Sequence, residues 1–214
     1  MTEGAPQMTA TVLRPLGTPV PLGFLGLAGG ALVTAGMQLG WIPVEEQNAA
    51  GLVLFTFAFP LQLLAAIIGF RCRDTAFATA MAVLAAGWLV QGLLLAAGSA
   101  HQVSHVLGLF LLVAATALLV PLAAAGTGKL VASAVIGCAA LRLAVAGIHQ
   151  LTHDIGWEDA AGVIGVVLTA LALYAAAAFA LEDGRGRPVL PLGRHAGGAR
   201  AVENGAEPGV RPEL

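Results

Sequence analysis

Charge is scarce in this sequence. Lysine and arginine number ten and aspartate and glutamate twelve, so 10% of the 214 residues are charged, against about 25% in soluble domains. An ordinary globular domain is thereby excluded. The formal net charge is -2, with no basic cluster interleaved with aromatics, which argues against a nucleic-acid partner. Cysteine is nearly absent: Cys72 falls in a short polar stretch and Cys138 inside an apolar run, at different expected depths, a poor pair for a disulfide. Ser-His-Asp, paired-carboxylate and nucleophilic-cysteine arrangements are lacking, so an enzyme is not expected, and neither is a cofactor. The first twenty residues contain Arg14 but no short apolar core before a cleavage site, and no cleaved signal peptide is expected.

What the chain has instead is apolar length. It is 58% hydrophobic, in long runs separated by short polar ones, the pattern of an all-α polytopic membrane protein with six transmembrane helices in one bundle. The expected spans are 22–41, 49–70, 75–98, 105–125, 130–151 and 160–181. They form a domain over 21–182, between a lead-in of 1–20 and a tail of 183–214 that reads as disordered beyond 193. Pro21 suits the first turn of the first helix, where its missing donor is harmless. Gly23, Gly26, Gly29 and Gly30 give that helix a smooth face, which reads as helix packing, and Trp41 closes it at an interface. Pro60 should kink the second span, just before Gln62; the third carries Trp88 and Gln91. Gly126-Thr127-Gly128-Lys129 looks superficially like a phosphate loop but fails the pattern, with Ala123 and Leu130 at two defining positions.

Topology follows from where the basic residues lie. Arg14, Arg71, Arg73, Lys129 and the tail arginines 185, 187, 194, 200 and 211 fall on one side of the six spans. The opposite loops carry Glu45, Glu46, Asp154, Glu158 and Asp159. The positive-inside bias then places both termini in the cytosol of a multi-pass plasma or inner membrane protein.

The exception to this segregation is Arg142, near the middle of the fifth span. A guanidinium stays protonated in a protein and costs roughly 2.5–3.5 kcal/mol at a helix centre on the insertion scale. No other charged residue falls inside a span, so Arg142 must find carbonyls, side-chain amides, water or an anion in transit. One reading has it face an internal path and attract a small anion; the other has it snorkel, or hydrogen-bond the bundle interior without touching solute. Gln62 likewise bonds carbonyls freed by Pro60 or lines the same path. Thr34 and Gln91 are further polar side chains placed on it. Two histidine pairs at i, i+4 spacing, His101 with His105 and His149 with His153, should lie at the outer surface. They read either as interfacial helix-end residues or as an outer protonation site; four ligands from two loops are a weak zinc constellation, and no metal is assigned.

Several stretches together resemble the acetate uptake transporter family, the succinate-acetate permeases. Its entry into the first helix is Asn-Pro-Ala-Pro-Leu-Gly-Leu, and 18–24 here keep Pro19, Pro21, Leu22 and Gly23. Gln62, Ala65 and Ala66, the run 73–80, Trp88 and Tyr174 fall on family positions, as does Gly186-Arg187-Pro188-Val189-Leu190-Pro191-Leu192-Gly193, in an order that covers about 18–193. The resemblance implies six helices per protomer, assembly as a hexamer, a path through each protomer, and uptake of acetate or succinate with protons. It also implies a narrow apolar gate of phenylalanine, tyrosine and leucine, which here become Leu27, Leu84 and Ala139, a wider but still dry constriction. The family asparagine is Thr18, its second-helix glutamate is Gly69, and it offers no match for Arg142.

The chain is therefore expected to be a transporter or channel for a small carboxylate, linked to protons, with the bilayer and copies of itself as partners. The anion would pass the outer histidines, then Arg142, then the ring of Leu27, Leu84 and Ala139, and meet Gln62 beyond it. The alternatives are a neutral-solute pore for ammonia or urea, and a non-transporting interaction or sensor protein on the same scaffold.

Overall fold

The computed structural model describes residues 17–98, 103–125, 130–185, 187 and 189–193. Most of the expected lead-in, the tail beyond Gly193, the 126–129 turn and His101 lie outside these. Six helices are long and apolar enough to cross a membrane. The first is α1 (Val20–Gln38); the second is built from α2 (Gln47–Val53), a π-helical turn (Leu54–Ala58) and α3 (Phe59–Arg71). The others are α4 (Thr75–Ala96), α5 (His105–Ala125), α6 (Leu130–Thr152) and α7 (Ile155–Arg185).

Local chemistry explains the ends. Pro19 caps α1 and accepts from the Gly23 amide, with Pro21 in the first turn. At the other end the amides of Trp41 and Ile42 turn back to the Gly36 carbonyl through Gly40, whose φ of +68° suits glycine, so α1 stops three residues before Trp41. Asp74 caps α4 by accepting from the Phe77 amide, and Ser104 Oγ accepts from Leu107 at the start of α5. Asp154 Oδ1 accepts from the Gly156 amide, so α7 begins at Ile155, ahead of the apolar run expected from 160, and continues to Arg185.

The expected break at Pro60 takes the form of the π turn immediately before it. A proline there leaves a carbonyl without its usual donor, and re-registering the ladder by one residue accommodates the gap.

Each span packs on its neighbours in sequence, and α7 returns to pack along α1, closing a ring of six. Glycines set the closest approaches. A Cβ on Gly51 of α2 would lie 2.5 Å from the Ala96 amide nitrogen and 2.7 Å from the Gly92 carbonyl of α4. The α1 glycines serve packing, as their smooth face suggested: Gly23 meets Met81 and Phe77, and Gly30 meets Ala58 and Trp88. Lipid-length apolar surface remains outside, with Leu52, Val106, Val113, Val120 and Leu141 all exposed.

Candidate functional site

Two levels follow one another along the inside of the ring. At the level nearest the termini lies Gln62, fully buried. Its Nε2 donates to the Gly23 carbonyl of α1 at 3.3 Å and approaches Met81 Sδ, while its Oε1 accepts from the Trp88 indole at 2.6 Å. The amide is thus a three-helix tie; the carbonyls it bonds are not those freed by Pro60. The entry motif contributes directly, because only a glycine at 23 lets α1 come this close to α3 and α4.

Leu27, Leu84 and Ala139 are all buried within the continuous apolar core, together with Phe24, Ala31 and Met81. Leu84 lies between Met81 and Trp88, the two α4 residues that Gln62 touches, so Gln62 stands at the depth of this apolar ring and not beyond it.

The second level holds Arg142. It is 2% exposed, so it does not snorkel. Its Nη2 donates to Thr34 Oγ1 at 2.7 Å and to Gln38 Oε1 at 2.9 Å, both on α1. Thr34 can accept because its own hydroxyl proton goes to the Gly30 carbonyl at 2.8 Å. Among the described residues no carboxylate lies within ion-pair distance of the guanidinium, and its Nε finds no acceptor. The side chain fits because α7 has Gly165 there: a Cβ at that position would sit 2.8 Å from Nε. Thr34 lies eight residues beyond Gly26, which touches Gln62, so Arg142 and Gln62 differ in depth by about 12 Å.

Thr34 and Gln38 also line a cavity of about 250 Å³ on the side away from the termini. Its other polar groups are Gln91, Ser104, His149, Gln150 and Glu158. Gln91 turns its Nε2 back to the Gly87 carbonyl, and Gln150 Oε1 accepts from the Ser104 amide. His149 lies seven residues, two turns, beyond Arg142 on the same face of α6, with Nε2 3.8 Å from Glu158 Oε2. The second expected histidine pair is re-sorted. Because α6 ends at Thr152 and His153 adopts φ +63°, His153 leaves the His149 face and instead meets His105, their rings 5.7 Å apart.

Of the sequence-derived candidates, then, Thr34, Gln91 and His149 line one cavity and Arg142 lies behind it, bonded to Thr34, while Gln62 sits within the apolar core and His105 and His153 stand outside the lining. Gln38, Gln150, Ser104 and Gly165 were not singled out. Gln38 had a signal: it follows Thr34 by four residues on a helix, hence on one face.

The tail is tied to the same helix as Arg142. The Tyr174 hydroxyl donates to the Pro191 carbonyl at 2.8 Å, and the first amides of α6, at Leu130 and Val131, donate to the carbonyls of Gly193 and Leu192 at 3.3 Å. The carbonyls of Leu192 and Gly193 thus cap the start of α6, while that of Pro191 holds the segment to α7.

No curated relative matches the chain. Among solved structures it is similar to one titled "Structure of the bacterial acetate channel SatP", with a TM-score of 0.74 and 22% identity over 83% of this chain and 99% of that one, a shared fold. The sequence pattern of the GPR1/FUN34/yaaH family matches residues 2–186, which is most of the chain. The chain belongs to the GPR1/FUN34/yaaH family, the acetate uptake family that its motifs resemble.

Proposed function

We propose that this protein conducts a small carboxylate, acetate among its substrates, across the cell membrane together with protons. The observation that carries the reading is a buried, permanently charged guanidinium bonded to two residues of a polar cavity, with no carboxylate within ion-pair distance among the described residues. A unit anion held about 5 Å from such a charge gains about 3 kcal/mol at an effective dielectric near 20. Family membership and the likeness to an acetate channel point the same way.

The basic termini face the cytosol and the cavity faces outward as a vestibule. An anion settles near Arg142 and then crosses the dry level of Leu27, Leu84 and Ala139, which opens only transiently. His149 beside Glu158 is the group at the vestibule able to take up and pass on a proton. The passage through each protomer works in a homo-oligomer whose copies cover part of the exposed apolar surface.

The test is uptake of labelled acetate into proteoliposomes with the outside acidified. Arg142→Leu should insert normally and lose roughly a hundredfold in uptake, the equivalent of about 3 kcal/mol. Uptake equal to that of the unmodified protein would remove Arg142 from the mechanism.

A further inference from the structure

Thr34 and Gln38 stand between Arg142 and the vestibule: both line the cavity and both accept from the same Nη2. They differ in freedom. Thr34 is buried in the body of α1, its hydroxyl committed to the Gly30 carbonyl. Gln38 is the last residue of α1, just before the turn through Gly40. Its Cβ packs against Gly162 of α7, where an added Cβ would come within 3.2 Å of it, so its base is held. The amide beyond that base is half-buried at the cavity wall.

An sp² oxygen 2.9 Å from a guanidinium nitrogen occupies the position that one oxygen of a carboxylate takes in an arginine–carboxylate pair. The geometry points to Gln38 as an internal occupant of the anion seat, displaced when a carboxylate reaches Arg142. This rests on the reading that Arg142 attracts the carboxylate, and it adds a determinant of specificity. A carboxylate adds to such a hydrogen bond the attraction between two full unit charges, which the neutral amide lacks, so a carboxylate evicts the amide. A neutral solute such as acetamide offers Arg142 nothing better than Gln38 already does. Gln38 therefore screens solutes by charge, and apparent affinity scales with the fraction of time its amide is away from Arg142.

Two substitutions have opposite signs on this account. Gln38→Ala empties the seat, and the KM for labelled acetate uptake into proteoliposomes should fall, about tenfold if the displaced state is populated at about 10%. Gln38→Glu seats a carboxylate permanently, and KM should rise by about tenfold or more. A thermal melt of each purified variant checks folding, and Gln38→Ala alone decides the matter should Gln38→Glu fail to insert. A higher KM in Gln38→Ala, or an unchanged KM in Gln38→Glu, overturns the internal-occupant proposal. If Arg142→Leu transports as well as the unmodified protein, the underlying reading falls and takes this one with it. If Arg142→Leu is inactive while Gln38→Ala raises KM, the reading stands and only the role of Gln38 is lost.

Discussion

Trp88 and Gln62 show what a single pair of side chains does in this interior. The indole donates to the amide oxygen at 2.6 Å, and both residues are buried. Removing the donor strands a buried acceptor, at about 1–3 kcal/mol, whereas replacing both partners by apolar groups relieves that cost. Trp88→Phe should therefore lower the melting temperature in detergent by about 2–12 °C, taking 2–4 °C per kcal/mol for a chain of this size. Trp88→Phe combined with Gln62→Leu should recover part of the loss, and a strictly additive double variant would show that the bond contributes nothing. Arg142 poses the same problem with a charge. Among the described residues its Nε finds no acceptor, and it lies against Gly165, where an added Cβ would come within 2.8 Å.

Between helices the governing quantity is backbone approach. Without a hydrophobic force to bring helices together inside a bilayer, close packing through small residues takes its place. The crossing of α2 on α4 at Gly51 and Gly92 is the tightest, and its neighbours are backbone atoms that have no rotamer to yield. Gly51→Val should cost about 3 kcal/mol or more and abolish a monodisperse peak in size-exclusion chromatography; a normal peak and melt would show that the crossing is looser than drawn. The π turn beside Pro60 belongs to this scale as well. The proline foretold a break, but whether a kink, a water or a shifted ladder would fill it depended on what α1 and α4 pack against that face.

Across the whole molecule the basic residues outside the spans are sorted by side. Among the described residues Arg71, Arg73 and Arg185 lie, with Cys72 and the acidic Asp74, Glu182 and Asp183, at the end of the bundle where α1 begins and α7 ends, and Glu45, Glu46, Asp154, Glu158 and Asp159 at the other, where Glu158 lines the cavity. With the termini in the cytosol, a membrane-impermeant maleimide should label Glu46→Cys in intact cells when Cys72 is replaced by serine. Native Cys72 should be labelled only after permeabilisation; the reverse pattern would invert the protein and turn the vestibule inward.

The number of spans and the singular cost of Arg142 were legible in the chain, because both depend only on local composition and on how water and hydrocarbon treat it. The pairings that make the site were not. Arg142 meets Thr34 and Gln38 across more than a hundred residues of sequence, through a gap that Gly165 leaves on a third helix. Gln62 was recognised as a buried amide, but its partners depended on which turn of α1 and α4 came opposite. His153 left the face that helical spacing gave it as soon as α6 ended one residue earlier. Periodicity states which face a residue is on; only the closed ring of helices decides what that face meets, and at what depth.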